Sequence, residues 1–460
     1  MIADDVPVPV RPDTAHALLA RVARAQVEGR APSLIVGIVR DGGLVWSGAR
    51  GTVDGAPPTA DTQYRIGSIT KPFTAVLVMR LRDEGLLGLD DRVEQHVPGT
   101  VVGDRTVREL LAHSGGLAAE PPGPWWERSP GRDWPELTGS FTPDLVLGPP
   151  GTFHYSNPAY AVLGQIVARH RGRSWYEALR EEVLLPLGMT RTSYDAAAPA
   201  APGLAVHPFA DVTMPEVVQD LGAMAPAGQL WSTLSDLARW AAFIAGDTAD
   251  VLSPDTLAEM RRTHVIADDP AWQSAYGLGL QVLRFGPREL VGHGGSVPGY
   301  LAFIAVDVER RTGLVELANA TTGAVFSGHE LLDILESHEP HVPPVWEPVE
   351  EVPAELLDAV GVWHWGPSAP YVLRVHGADE LELSPVGGAG RGSRFVRKDG
   401  EWVGTAGYWR GERLRLIRGP DGSVSHLDLA TFVFTRRPYD PSAPIPGGVS
   451  PSPWRPAPRS

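Results

Sequence analysis

A serine and a lysine stand three residues apart at the head of an apolar segment of this 460-residue chain. Ser68 and Lys71 precede Pro72 and a crowd of apolar side chains from Phe73 to Leu81, which predicts a helix. One helical turn points the two polar side chains at the same place. Pro72 fits only near a helix start, where free N–H groups favour a developing anion. A hydroxyl, a base and an oxyanion donor are what an acyl-enzyme nucleophile needs.

Lysine is rare in this chain, and its rarity adds weight to the motif. Of 40 Lys and Arg residues only Lys71 and Lys398 are lysine. Arginine stays protonated in proteins, whereas a lysine can lose its proton when its site lowers the pKa. A titratable amine is therefore indicated beside Ser68. Alone, Ser-x-x-Lys is a weak signal, because a helix-start serine followed by a surface lysine gives the same pattern.

A second motif combines a phenol and an amide on one turn. Tyr155 and Asn157 can face one pocket, as a proton shuttle and a hydrogen-bond anchor. The alternative is structural: Asn157 caps a helix whose first position is Pro158.

A third motif is a strand that ends in glycines, from Val291 to Ser296. Gly294 and Gly295 would let a substrate approach the backbone. The Ser296 N–H would then be a second oxyanion donor, and His293 a polar group on the pocket wall. The alternative is a turn at the strand edge with an incidental histidine.

The surrounding pattern predicts an α/β (α+β) fold, with an antiparallel sheet flanked by helices and with a helical subdomain. A helix is predicted over 14–29 and a hairpin over 33–48, with its turn at 41–43. The later strands and the closing helix are predicted at 279–283, 289–293, 300–306, 313–319 and about 328–336. Residues 118–148, rich in Pro, Gly and Trp, read as a long irregular insertion, either a wall or lid of the site or a surface excursion.

The last quarter of the chain has a different character. Residues 338–353 are rich in Pro and Glu and predict a stiff linker after a domain spanning 1–337. Short β-like runs follow at 371–375, 380–383, 394–397, 402–405, 413–417 and 431–435. They predict a small antiparallel β-barrel or sandwich over 354–440. Residues 441–460 hold seven prolines and are expected to be disordered.

Composition excludes several functions. The net charge of −15 argues against nucleic acid or an anionic membrane as partner. Because the chain has no cysteine, disulfides, thiolate chemistry and Zn-thiolate sites are excluded. The acidic start lacks the apolar core of a signal peptide, and no apolar run approaches a membrane span. A cytoplasmic protein is expected.

Taken together, the motifs Ser68-x-x-Lys71, Tyr155-x-Asn157 and His293-Gly294-Gly295 resemble those of the serine β-lactamase and penicillin-binding-protein family. The resemblance is to its class C, D-aminopeptidase and esterase-like branch, which uses Tyr-x-Asn. It covers about residues 14–337, and the flanking segments 110–117, 228–233 and 276–279 look alike too. The region after 350 resembles, with far lower specificity, small β-barrel domains appended to some members.

The resemblance implies a role for each motif residue. Ser68 would be the acylated nucleophile, and Lys71 and Tyr155 would share the general-base and proton-shuttle role, with the base left open between them. Asn157 would orient Lys71 and the substrate. The N–H groups of Ser68 and Ser296 would form the oxyanion hole. Acyl transfer and hydrolysis would proceed without metal or cofactor.

His293 departs from many β-lactamases and peptidases, which place lysine there to assist in binding a substrate carboxylate. A histidine with a pKa near its ordinary value of about 6.5 is mostly neutral at pH 7. We therefore expect a serine hydrolase of small carboxylic esters or amides, of esterase type. A β-lactamase, a D-Ala-D-Ala carboxypeptidase or D-aminopeptidase, and a catalytically idle binding or sensor protein of the same fold are the alternatives.

Overall fold

The computed structural model of the protein describes residues 8–322, 329–343, 345–349, 351–377, 379–388 and 390–439. Contacts group the chain into two compact units, Met1–His341 and Val342–Ser460. The domain limits 1–337 and 354–440 stay predictions, and the expected disordered tail lies outside the described residues. None of the helices in these ranges is long and apolar enough to cross a membrane.

The helices of the first unit are mostly short. They are α1 (Pro12–Glu28), α2 (Thr70–Asp83), α3 (Val93–His96), α4 (Val107–Leu111), α5 (Trp134–Gly139), α6 (Asn157–Arg171), α7 (Trp175–Leu179), α8 (Ala225–Gly228), α9 (Leu234–Ala245), α10 (Pro254–Met260) and α11 (His329–His338). The strands are β1 (Ser33–Arg40), β2 (Gly43–Gly51), β3 (Tyr64–Arg65), β4 (Leu204–Val206), β5 (Thr213–Pro215), β6 (Trp231–Ser232), β7 (Val265–Ile266), β8 (Ser274–Tyr276), β9 (Gln281–Phe285), β10 (Arg288–Val297), β11 (Tyr300–Asp307) and β12 (Thr312–Ala318).

An eight-stranded antiparallel sheet forms the frame of this unit, in the order β2-β1-β12-β11-β10-β9-β8-β7. The predicted hairpin is confirmed, because β1 pairs with β2 through Asp41 and Gly42, which both have positive φ angles. Alternate residues of β1 face two cores, with Leu34, Val36 and Ile38 packed beside α1 and α11. Ile35 and Val39 face the larger core of α2, α6 and α9. The sheet is therefore covered on both faces.

The second unit contains α12 (Ala354–Ala359) and a closed antiparallel barrel. Its strands are β13 (Gly361–His364), β14 (Pro370–His376), β15 (Glu380–Pro385), β16 (Ser393–Lys398), β17 (Glu401–Gly407), β18 (Arg413–Arg418), β19 (Val424–Leu429) and β20 (Phe432–Thr435). Large apolar side chains such as Trp363, Phe395 and Phe434 fill its interior. A barrel is thus confirmed. The six predicted runs omitted β13 and β19.

Close contact between α6 and α8 depends on one glycine. A Cβ atom on Gly164 would lie 2.1 Å from Cγ and 2.6 Å from Cβ of Pro226. No larger residue fits without moving one helix.

We predict that Gly164→Ala lowers the free energy of unfolding by about 1–3 kcal/mol, since overpacking must be relieved by backbone shifts. Gly139→Ala is the matched control, because Gly139 is also helical but has no atom within 4 Å of its added Cβ. Denaturant unfolding of both variants measures the effect. Equal stability of the two variants would contradict the packing account.

Candidate active site

Ser68 and Lys71 come together at the start of α2. Ser68 lies in a 3₁₀ turn, Gly67–Ile69, that runs directly into α2, whose first turn holds Lys71. Lys71 Nζ lies 2.9 Å from Ser68 Oγ and 2.8 Å from the carbonyl oxygen of Ala227. Ser68 is partly exposed, whereas Lys71 is fully buried. A substrate can therefore reach the hydroxyl while water is kept from the amine.

The burial of Lys71 changes its acidity. Desolvation lowers the pKa of Lys71 from 10.5 to about 7, while the carboxylates of Glu120 and Glu127 act in the opposite direction. At neutral pH a large fraction of the amine is therefore unprotonated. A neutral amine has a lone pair that can accept the Ser68 proton.

The Ala227 carbonyl is held in place by the residues around it. Thr74 Oγ1 donates to the carbonyl of Pro226 at 2.9 Å, and the Leu230 N–H donates to Thr70 Oγ1 at 3.2 Å. α8 is thereby tied to α2 on both sides of Ala227. The acceptor for the Lys71 amine is a fixed backbone atom.

Tyr155 lies beside this pair. Its ring centroid is 4.9 Å from Lys71 Nζ, and its side chain is half-buried. Burial raises the pKa of Tyr155 well above its ordinary value, the Tyr276 hydroxyl raises it further, and a hydrogen bond with Ser68 lowers it. The phenol is therefore protonated at neutral pH and is placed as a proton donor.

His113 supports Tyr155 in three ways. Its ring stacks on the Tyr155 ring at a centroid distance of 4.3 Å, and its Nδ1 accepts the Ser156 N–H at 3.0 Å. Its carbonyl accepts the His154 N–H at 2.8 Å. Burial lowers the pKa of His113 well below 6.5, so that Nδ1 stays an acceptor. One residue thus fixes the chain on both sides of the phenol.

The structure corrects the predicted capping role of Asn157. Ser156, not Asn157, caps α6: Ser156 has extended backbone and its Oγ accepts the Ala159 N–H, so Asn157 is the first helical residue. Asn157 Nδ2 lies 3.0 Å from both carboxylate oxygens of Glu120. Asn157 therefore orients Glu120, and the hydrogen bonds of the Lys71 amine go to Ser68 and to the backbone.

The segment 118–148 forms an acidic wall of the site. Glu120 also accepts the Trp126 indole N–H at 2.6 Å, and Glu127 accepts that of Trp125 at 2.9 Å. Burial raises the pKa of Glu127. The wall interpretation is thus favoured over a surface excursion. The segment is less irregular than predicted, since it contains α5 and 3₁₀ turns at Trp126–Arg128 and Pro143–Leu145.

The glycine motif brings β10 against the Ser68 turn. A Cβ on Gly295 would lie 2.0 Å from the Ile66 carbonyl oxygen and 3.3 Å from Ser68 N. A Cβ on Gly67 would lie 2.8 Å from Ser296 N. Only glycines at both positions allow this approach, which places the backbone N–H groups of Ser68 and Ser296 in the same region.

His293 lies on β10 next to Gly294 and is buried. Its Nδ1 donates to the Gly294 carbonyl at 2.5 Å, because a carbonyl can only accept. Burial lowers the pKa of His293 to about 3, and the Lys71 amine lowers it too. Its Nε2, buried and without a partner among the described residues, is therefore an unprotonated acceptor.

Three contributors to the site were missed by sequence reasoning. Ala227 acts through its backbone and leaves no sequence signal, and Glu120 lies in a segment without periodicity. His113 falls in the flanking segment 110–117, which resembles the family, but the sequence analysis assigned no role to this histidine. No group of three or more His, Cys, Asp or Glu in the described ranges could hold a metal ion.

Comparison with known proteins covers both units. A family model described as "Beta-lactamase" matches residues 19–338, and one described as a domain of unknown function (DUF7586) matches residues 352–436. "Beta-lactamase-like protein 2" of Dictyostelium discoideum is 32% identical over 252 residues, covering 49% of this chain and 45% of that protein. "Penicillin-binding protein 4" of Amycolatopsis lactamdurans is 29% identical, covering 61% and 79%. The chain thus spans about half the length of the first of these relatives.

Two solved structures resemble the fold. The octameric penicillin-binding protein homologue from Pyrococcus abyssi superposes with a TM-score of 0.63 at 24% identity, covering 91% of this chain and 99% of that one. A D-stereospecific amidohydrolase from Streptomyces sp. gives 0.59 at 26% identity, covering 72% and 99%. Since the family model spans well over half of the chain and the fold agrees, the chain belongs to the β-lactamase family.

Proposed function

We propose that this protein is a serine hydrolase that cleaves small carboxylic esters or amides through an acyl-enzyme on Ser68. The observation that carries this proposal is the 2.9 Å contact between Ser68 Oγ and an amine whose pKa burial lowers to about 7. The proposed nucleophile and its candidate base are therefore in direct contact.

In the proposed reaction the same groups act in both halves, acylation and deacylation. Neutral Lys71 accepts the Ser68 proton as Oγ attacks the carbonyl carbon, and the N–H groups of Ser68 and Ser296 stabilise the oxyanion. The protonated Tyr155 donates to the leaving alcohol or amine and regains a proton from Lys71. Water then attacks the acyl-enzyme with the same groups in reverse, and carboxylic acid and free Ser68 result.

The charges around Ser68 favour neutral or cationic substrates. The carboxylates of Glu120 and Glu127 act on the Lys71 amine, and His293 is a neutral acceptor. A substrate carboxylate, as in β-lactams or D-Ala-D-Ala termini, would meet acceptors and negative charge. These observations support a hydrolase of small esters or amides over a β-lactamase.

The same acidic wall favours a second candidate, an amidase or aminopeptidase whose substrate carries a free ammonium group. The similarity to the D-stereospecific amidohydrolase supports this candidate. The two candidates share every catalytic residue and differ only in what Glu120 and Glu127 contact.

We predict that p-nitrophenyl esters or D-Ala-p-nitroanilide are turned over and nitrocefin is not. Ser68→Ala should lower kcat by about 10⁴-fold or more, because the nucleophile is lost. Ser47→Ala, an exposed serine on β2, is the matched control and should keep full activity. Intact-mass measurement after a fluorophosphonate probe should show an adduct in the wild type and in Ser47→Ala only. No Ser68-dependent adduct would favour the idle binding protein, and turnover of nitrocefin alone would favour the β-lactamase.

The charge of Glu127 should shift the pH dependence of kcat/KM. If neutral Lys71 is the base, kcat/KM rises with pH through about 7, the pKa of the amine. Glu127→Gln removes a negative charge that raises this pKa, so the rising limb should move to lower pH. Glu309→Gln, an exposed residue between β11 and β12, makes the same charge change at a distance and should leave the limb in place. An unmoved limb in Glu127→Gln would argue against Lys71 as the base.

We infer that His113 is a positioning residue for Tyr155. His113→Phe keeps an aromatic ring but removes the acceptor of the Ser156 N–H, which should lower the free energy of unfolding by about 1–3 kcal/mol. It should lower kcat about tenfold with little change in KM, because only the reacting geometry is disturbed.

His113→Asn is the rescue variant. Asn Oδ1 can occupy the place of Nδ1, and asparagine tolerates the positive φ of 55° at this position. We expect most of kcat to return in steady-state assays. Equal losses in the two variants, or a loss carried by KM, would contradict the positioning role.

A further inference from the structure

A second cleft lies in the helical part of the first unit, on the far side of α8 from Ser68. It has a volume of about 720 Å³. We call it the α6–α7 cleft; its walls are residues 131–134, one face of α6, the start of α7, and Tyr194, Asp195, Asp220 and residues 222–226. A cleft of this size suits a small organic molecule.

α8 separates this cleft from the catalytic groups. The ring of Pro226 faces Gly164 and the cleft, whereas the next residue, Ala227, turns its carbonyl to Lys71. None of Ser68, Lys71 or Tyr155 lines the cleft. A molecule bound in the cleft would therefore not touch these three side chains.

Negative charge predominates on the wall of the cleft. Three carboxylates line it, Asp133, Asp195 and Asp220, and in the described part of the chain none of them forms an ion pair within 4 Å. Asp133 accepts the Glu136 N–H, and Asp220 accepts the Tyr194 hydroxyl and interacts electrostatically with Arg65. Both Asp195 and Asp220 raise the pKa of Tyr194, after the larger effect of burial. The single cation on the wall, Arg132, donates to the carbonyl of Pro122.

Aromatic side chains supply the rest of the wall. Trp134, Trp175, Tyr176 and Tyr194 all line the cleft, and the rings of Tyr176 and Tyr194 meet edge to face at 5.5 Å. Aromatic faces of this kind attract a cation.

We propose that the α6–α7 cleft is a binding site for a small organic ammonium. The ammonium is held by the carboxylates and by the faces of the aromatic rings, as cations are in aromatic cages. The site is independent of the reaction proposed for Ser68, and its ligand is bound rather than cleaved.

Choline tests this site, because it has an ammonium group but no ester or amide to cleave. Calorimetric titration of the full chain should show one saturable site. The neutral isostere 3,3-dimethylbutan-1-ol, which replaces N⁺ by carbon, should bind about tenfold more weakly or not at all. Equal affinity of the two probes, or no saturable binding of choline, would overturn the proposal.

Variants locate the binding, since Glu120 and Glu127 could attract a cation to the catalytic site. Asp195→Asn removes an exposed carboxylate of the cleft and should weaken choline binding several-fold without affecting folding. Tyr176→Leu should weaken it as well. Glu127→Gln should leave it unchanged. Loss of binding in Glu127→Gln with full binding in Asp195→Asn would place the cation beside Ser68 and refute the cleft as its site.

Discussion

The burial of one amine is the constraint on which the rest of the first unit depends. Lys71 Nζ has no access to water, so its hydrogen bonds must come from the protein, and they come from Ser68 and the Ala227 carbonyl. A polar group buried without partners would cost several kcal/mol. The ties between α2 and α8, and the glycine that lets α6 approach α8, therefore serve both stability and the proposed catalysis.

Two opposing effects set the acidity of that amine. Desolvation alone would lower its pKa further, and the carboxylates of Glu120 and Glu127 oppose it, so that the pKa is about 7. Glu120, which has the larger effect of the two, is held by Asn157 and by the Trp126 indole. The residues that define the charge of the substrate pocket thus also tune the proposed base. A substitution aimed at specificity would change the pH profile as well.

The sequence revealed those features that depend on local spacing. The turn that pairs Ser68 with Lys71, the Asp41–Gly42 hairpin and most strands of the barrel follow from periodicity and turn chemistry. Tertiary contacts decided the rest. Asn157 could equally cap a helix or anchor an amine, and only the fold shows that Ser156 caps and Asn157 faces Glu120. β13 was missed because it has only four residues and begins with a glycine, and β19 because Ser425, His426 and Asp428 interrupt its apolar pattern.

The scarcity of lysine has a physical explanation in this arrangement. An arginine at position 71 would remain charged even when buried, and so could not accept a proton from Ser68. The other lysine, Lys398, is exposed at the end of β16, where either cation would serve. In the proposed reaction a cation must become neutral at position 71, and the chain has a buried lysine there. Burial lowers the pKa of this lysine, and the carboxylates of Glu120 and Glu127 oppose that effect, so that the pKa is about 7.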